Sequence, residues 1–585
     1  MALRCRGARR MGKRLNRCSL GLVSGLLLLV SGCALPSSAP QSDIVDHGAS
    51  QMVVSANPLA SAAGLDILKA GGSAVDAAIA VQAVLGLLEP QASGLLGGSV
   101  TLVWDPKTGA VESFDGMATA PRAATRSLSL SRSGTLLDPR SVAFSPRSVG
   151  VPGVLPALWE AHRAHGALPW ARLFAPAERL AADGAPMPPQ LHAALVEPGA
   201  DTALAAIRKP YLTPSGEVIA SGETFRNPDY ATVMRRVAQL GPEGLWAADG
   251  ARATLDVLSR PPRASWITEA ELRDAKPRVG PALCAPWQAM RVCTAPVPSF
   301  GGIVMLQILG TIPPGDPADP ASVHEFLEAS RLSEADRRRY LSDPAFVEVP
   351  VMELLEPAYL VGRAALIQPN STMARPQPGS FGEAGIKEQD PGAPQAGTSS
   401  VAVVDATGLS VAMTSTINLH FGARIAAQGM VLNNAMLNFA PPPPTSRAEL
   451  GGRYANEMAP GKRPVSPIAP VIVLDAAGRP ILIGGGAGGA PIPDVMASVL
   501  SSVLIRHTPL AEALASGHFH AADPDHIALE VDTGAASLRP ALEALGHRVE
   551  LEPIDTGTAI LLRSADGWQG RSDPRRDGGP ALGLR

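Results

Sequence analysis

An α+β fold is predicted by three observations. Apolar strand runs come in pairs joined by tight turns, which sets neighbouring strands antiparallel. These pairs are residues 100–104 with 111–114 around DPKTG, 398–404 with 409–413 around the turn at 405–408, and 471–474 with 480–483. Between the pairs lie long stretches with apolar residues at helical spacing. Finally, an apolar content of 46% and a charged content of 18% over 585 residues describe a chain with a large globular core. The net charge of −3 gives no global field for nucleic acid or an anionic surface.

The elements follow in order. Six arginines up to Arg17 precede an apolar run at residues 20–30. That run is shorter than the roughly 20 residues a membrane span needs and has the length of a signal-peptide core. The following Val30-Ser31-Gly32-Cys33 resembles a bacterial lipobox, which makes residues 1–33 a lipoprotein signal peptide with Cys33 lipidated. Ala34 in place of an aspartate points by the same resemblance to the periplasmic side of the outer membrane, with the inner membrane as the alternative. Residues 37–42 read as a tether.

Residues 56–88 read as two helices: Pro58 opens the first, Gly71-Gly72 stop it, and Ser73 caps a second that is apolar all round and therefore buried. Residues 140–206 and 225–253 are mainly helical, and residues 266–297 turn extended. Cys284 and Cys293 are the two cysteines outside the leader; in an oxidising compartment they are a candidate disulfide, two buried thiols being the alternative. A helix follows at 303–309 and a long one at 322–340, whose Arg337 to Arg339 run reads as a solvated face. Residues 383–396 are polar with Gly and Pro, an exposed loop that ends at Gly397-Thr398. Pro441 to Pro464 is long for a loop and suits a lid. Helices at 495–505, 511–515 and 538–545 alternate with strands at 527–531 and 548–551, and the tail beyond Gly570 reads as frayed.

Thr398 heads an apolar strand whose partner ends in Thr414, Ser415, Thr416 and Asn418. A hydroxyl needs a base to become a nucleophile. An α-amino group, with a pKa of about 8, is such a base if the chain is cut before Thr398, and Gly397 leaves the carbonyl unshielded. His518 and His520 share a strand face as zinc ligands can, but no third ligand accompanies them, so no metal is expected.

Several segments then carry a resemblance: ANPLAS, GGSAVDAAIAVQAVLGLLEPQASGLLGG, DGMATAPRAAT, PVPSFGGIVMLQIL, EADRRRYLSDPAFVEVP, residues 397–439, PGKRPVSPIAPVIV, GGGAGG and LEALGHRVE. Their order over nearly the whole mature length resembles the γ-glutamyltransferase (glutathione hydrolase) family. The resemblance implies a four-layer αββα sandwich of the N-terminal-nucleophile hydrolase type. It implies one precursor cut between Gly397 and Thr398 into interwoven segments, 34–397 and 398–585, and no cofactor. By motif, Thr398 matches the nucleophile, Thr416 the threonine that holds its new amino group, Asn418 a substrate-pocket asparagine, and Gly488 and Gly489 the oxyanion hole. The amino-acid clamp departs from the pattern. Met117 stands where an arginine is expected, Ala435 and Asn438 replace two polar or acidic groups, and Ser466 is followed by Pro467 rather than a second serine. Arg424, Arg453 and Arg463 are candidates to refill the clamp. The expected activity is hydrolysis or acyl transfer on γ-glutamyl or related amides with altered acyl recognition. Its partners are then a small-molecule or peptide amide, the precursor's own two segments and a membrane reached by the lipid anchor, not nucleic acid. The alternative is a catalytically silent scaffold lipoprotein.

Overall fold

The computed structural model describes residues 44–131, 133–381, 397–441, 454–523 and 525–585. The leader, Cys33 and the loop at 383–396 lie outside the described residues, as does Arg453.

Two antiparallel sheets stack at the centre. One orders its strands β1 (Ile44–Val45), β14 (Leu582–Leu584), β2 (Gln51–Ser55), β8 (Gly397–Val404), β9 (Ser410–Asn418), β3 (Gly98–Trp104), β4 (Val111–Asp115), β5 (Arg278–Pro281). The other runs β13 (Gly567–Ser572), β12 (Ala559–Ser564), β11 (Pro480–Gly485), β10 (Pro470–Leu474), β7 (Met290–Thr294), β6 (Leu283–Trp287). Side chains alternate across each strand. Along β8, Ala402 and Val404 face the second sheet and meet Ile472, Leu474, Ile483 and Leu561. Val401 and Val403 point the other way, into helices α1 (Pro58–Lys69) and α2 (Ala74–Leu88). The second sheet is covered on its far face by α3 (Gly301–Thr311), α4 (Pro320–Tyr340) and α5 (Ile492–Leu504). The layers are therefore helix, sheet, sheet, helix, as expected.

Local signals explain the elements. Asn57 caps α1 with Pro58 at its first turn, and Ser73 with Asp76 forms a capping box on α2, every residue of which is buried. Cys284 and Cys293 are cross-strand partners in the β6–β7 hairpin and are disulfide-bonded. Strands from before and after Thr398 are interleaved in both sheets, so position 397/398 is no boundary between folding units.

Two expectations are corrected. Arg337 and Arg338 are each 7% exposed: Arg337 bonds Glu334 (2.8 Å) and lies over the Phe300 ring, and Arg338 donates to Ala522 O (2.7 Å). Their sequence neighbours are polar, so only the tertiary cover of α4 reveals the burial. The tail is not frayed: β13 and β14 close the two sheets, and Asp573 and Arg576 are buried. Residues 442–453 of the stretch suited to a lid lie outside the described residues; beyond them Tyr454 to Lys462 are largely buried, and Ala440 N–H donates to Asn456 O (2.9 Å).

Candidate active site

Thr398 is the second residue of β8, and the pairing with β9 is irregular there. Gly397 faces Asn418 and Ser399 faces Ser415, so Thr416 and Ile417 together oppose Thr398 alone. Such bulges re-aim side chains. The result is a specific contact: the Thr416 hydroxyl donates to the carbonyl oxygen of Gly397, the carbonyl of the Gly397–Thr398 bond. The Asn418 N–H donates to the same Thr416 oxygen at 2.8 Å, which leaves the hydroxyl proton aimed at the carbonyl. Little room is left for a side chain at Gly397. A Cβ there would lie 3.0 Å from both Asn418 O and Gln91 O and 3.1 Å from Leu419 O.

The carbonyl of Thr398 is held as well. Arg576, 6% exposed, donates from Nη1 to Thr398 O (2.5 Å) and pairs through Nε with Asp555 (3.2 Å). Ser399 Oγ donates to Glu89 (2.7 Å), the residue that ends α2. Burial raises the Glu89 carboxyl above its usual range, with the Arg576 charge opposing. Neither Glu89 nor Arg576 was singled out from the sequence. Arg576 sits in a polar, Gly-rich tail, and only the closure of β13 onto the sheet brings it 178 positions back to Thr398.

Gly488 and Gly489 follow β11 and precede α5, with φ of +117° and +81°. A side chain at Gly488 would run into Asp555 O, so the loop can lie here only as glycine. Among the described residues neither N–H donates a hydrogen bond, as suits donors kept for an oxyanion. The loop is near β8 and β9: a Cβ on Gly485 would sit 2.9 Å from both Ser400 Oγ and Thr414 Oγ1.

The altered clamp positions are each fixed by local contacts. Met117 packs against Gly98, the cross-strand partner of Thr416. Ser466 pairs with Ser299 as an isolated bridge, and its carbonyl accepts from Phe300 N–H (2.7 Å). Pro467 lies against Gly301. Asn418 is fixed by Asn434, bonding its Oδ1 (3.1 Å). Asn438 closes a 3₁₀ turn, Ala435–Asn438, with its Oδ1 buried and unbonded. Ala435 belongs to an apolar cluster with Leu128, Phe439 and Met458.

Of the candidate arginines, Arg463 is next to Met117 but committed elsewhere. Its Nη1 lies 3.5 Å from Asp115 Oδ2, and its guanidinium also donates to the carbonyls of Met117, Asp115 and Lys276. Burial pushes the Asp115 carboxyl up and the Arg463 guanidinium down, each opposed by the other's charge. Arg463 is thus the counter-ion of a buried aspartate. Arg424 lines a cavity beside the site, its guanidinium carbon 3.7 Å from the centre of the Phe144 ring. His518 and His520 turn to acids: His520 Nε2 is 3.0 Å from Glu552, and His518 is 3.9 Å from Asp573.

Comparison with known proteins shows the family and the fold. The Gamma-glutamyltranspeptidase family model matches residues 60–583. The chain is 32% identical to a glutathione hydrolase proenzyme of Pseudomonas aeruginosa, over 94% of this chain and 97% of that one. It is 31% identical to an acylase ACY 1 proenzyme of a Pseudomonas species, over 91% and 93%. It shares the fold of a cephalosporin acylase from Bacillus halodurans, with a TM-score of 0.79 at 24% identity, covering 95% of this chain and all of that one.

Proposed function

Because the chain belongs to the gamma-glutamyltranspeptidase family of N-terminal-nucleophile hydrolases and acyltransferases, we propose that Thr398 first cuts its own chain and then hydrolyses or transfers the acyl group of a γ-glutamyl or related amide. The observation that carries this reading is the Thr416 hydroxyl on the Gly397 carbonyl. Thr398 Oγ attacks the Gly397 carbonyl carbon, and charge develops on the oxygen that Thr416 already holds. The C–N bond breaks to leave an ester on Oγ and a free amino group on Thr398. Water hydrolyses the ester, giving a Gly397 carboxylate. The new amino group then serves as base for the same hydroxyl on substrate, while the Gly488 and Gly489 N–H groups receive the substrate oxyanion.

Met117, Ala435, Asn438 and Pro467 favour an acyl group other than a full γ-glutamyl. Each charge-assisted contact removed weakens its binding by ~1.5–3 kcal/mol. Glutathione is then a poor substrate, and acyl amides of the kind an acylase handles become the better class. The N-terminal segment supports a further proposal. The protein is exported and tethered through a lipid on Cys33, on the periplasmic side of the outer membrane.

The test is direct. The purified protein runs as two bands on a denaturing gel, and the smaller begins at Thr398; Thr398→Ala stays as one band. A single intact chain in the unsubstituted protein rejects the reading. Fast turnover of a γ-glutamyl anilide, at the level of its glutathione-hydrolysing relatives, rejects the altered-pocket part. Cys33→Ser releases the protein from membranes if the tether is the lipid.

A further inference from the structure

A cavity of about 890 Å³ opens next to the segment that follows Asn418. That is within the roughly 300–1,000 Å³ common for ligand pockets. Its wall is mainly apolar, built by Leu128, Phe144, Leu204, Phe421, Leu437 and Met458, and Leu136 is 60% exposed on its lining. It neighbours the reaction centre. His420 in its wall lies 3.7 Å from Asp555, which pairs with Arg576 (3.2 Å), which holds the Thr398 carbonyl. The same wall is continuous with the apolar cluster around Ala435, a position expected to contact the acyl part of the substrate.

Among the described residues, two cations in this wall make no ion pair, although Glu197 shares the wall. Arg126 is matched to Glu457 at 2.8 Å. Arg140 and Arg424 have no carboxylate within 4 Å among the described residues, although both line the cavity. Arg424 stacks on the Phe144 face, and its Nε is buried without an acceptor. Burial, and then the Arg140 charge, hold its guanidinium below the ordinary arginine range, while Glu197 opposes them from a distance. A half-buried guanidinium beside a like charge is stabilised by an incoming anion.

The backbone that presents Arg424 is held in an uncommon conformation. Asn418, Phe421 and Arg424 have φ of +79°, +58° and +57°, three left-handed non-glycine residues within seven. Such residues persist only where their surroundings fix them, and they cluster at ligand sites. Here the fixing bonds are Leu419 N–H to Asn434 Oδ1 (3.1 Å), Gly422 N–H to Leu419 O (2.7 Å) and Ala423 N–H to Leu432 O (2.9 Å). The turn is rigid, and it directs Arg424 over Phe144.

We propose that this cavity receives the acyl half of the substrate, an extended apolar chain whose far end carries a carboxylate bound by Arg424 and Arg140. The proposal rests on the amidohydrolase reading above and names its substrate class. The clamp has moved from the Met117 side, where the amino-acid head was expected, to the far end of an apolar cavity.

Three p-nitroanilides test it: the mono-anilide of decanedioic acid, the methyl ester of that mono-anilide, and the γ-glutamyl anilide. The self-cut full chain is expected to favour the free acid over its ester at least tenfold in kcat/KM, with the γ-glutamyl compound below both. The acid-to-ester ratio falls towards one in Arg424→Met, falls partly in Arg140→Met and is largely kept in Arg424→Lys. Two bands on a gel establish that each variant folds and cuts, and Arg140, being exposed, is the fallback if Arg424→Met does not fold. A ratio near one in the unsubstituted enzyme, or one that Arg424→Met leaves intact, overturns the proposal. Calorimetry with the decanedioate mono-methyl ester separates the two readings. If the chain neither cuts nor hydrolyses, binding that is lost in Arg424→Met keeps the carboxylate site, and no binding removes it.

Discussion

In the proposed self-cut Thr416 acts through one hydroxyl proton, so its substitution separates chemistry from folding. Thr416→Val keeps the shape and removes the donor to the Gly397 carbonyl. Loss of one such donor slows an acyl transfer by about 10²–10³-fold. Cutting in Thr416→Val should be slower by that factor in a time course on gels, and Thr416→Ser should restore much of it. Arg463 answers to a different measurement. Its charge is spent on Asp115, at 3.5 Å in a buried setting, so Arg463→Met strands a buried carboxylate. The expected cost is about 3–5 kcal/mol, read from the denaturant midpoint. A role in substrate binding would instead raise KM and leave the midpoint in place. Thr398, Thr416, Asn418 and the glycine pair stand out as candidates in the sequence because each sits at a fixed offset in a motif. Glu89 and Arg576 do not, because each meets the proposed nucleophile only through the sheet.

The hairpin β6–β7 carries the disulfide between Cys284 and Cys293. Closing a loop this short restricts the unfolded chain by about 2–3 kcal/mol. Reduction, or a Cys284→Ser and Cys293→Ser double variant, should lower stability by that amount without altering the self-cut, whose strands lie in the other sheet. On α4, His324 Nδ1 meets His547 Nε2 at 2.7 Å, and its Nε2 meets Gln368 O at 2.7 Å. Glu328, 4.0 Å from His547, favours a charged ring, while burial, His324 and Arg331 oppose it, and the His547 pKa falls to about 4. The unfolded chain binds this proton near pH 6.5 and the folded chain only near 4. Between those values the unfolded state holds more protons, so stability drops as pH falls from 6.5 to 4 and the loss is complete below. His547→Gln should flatten that part of a stability-against-pH curve. Strand pairs, helix caps and the buried α2 were readable from local pattern. The burial of Arg337 and Arg338 was not, since a polar run on a helix looks solvated until another layer covers it.

At the scale of the molecule, the four-layer order follows from where apolar side chains alternate. The sequence pattern indicated strand pairs, but the placement of pairs in two sheets came only through resemblance to a family. Pairing β2 with β8 and β14 joins chain segments hundreds of residues apart, and no local signal encodes that. The same joining sets a clock on synthesis. Arg576, which grips the Thr398 carbonyl, is made 178 residues after it. At about 5–20 residues per second, a ribosome needs roughly 10–35 s to supply it. Until then Thr398 has its strand but neither Arg576 nor β13 and β14, so under the proposed self-cut a nascent chain should stay whole. In cell-free translation, chains stopped before residue 567 should remain uncut, and chains that include β13 and β14 should begin to cut only after a delay of that order.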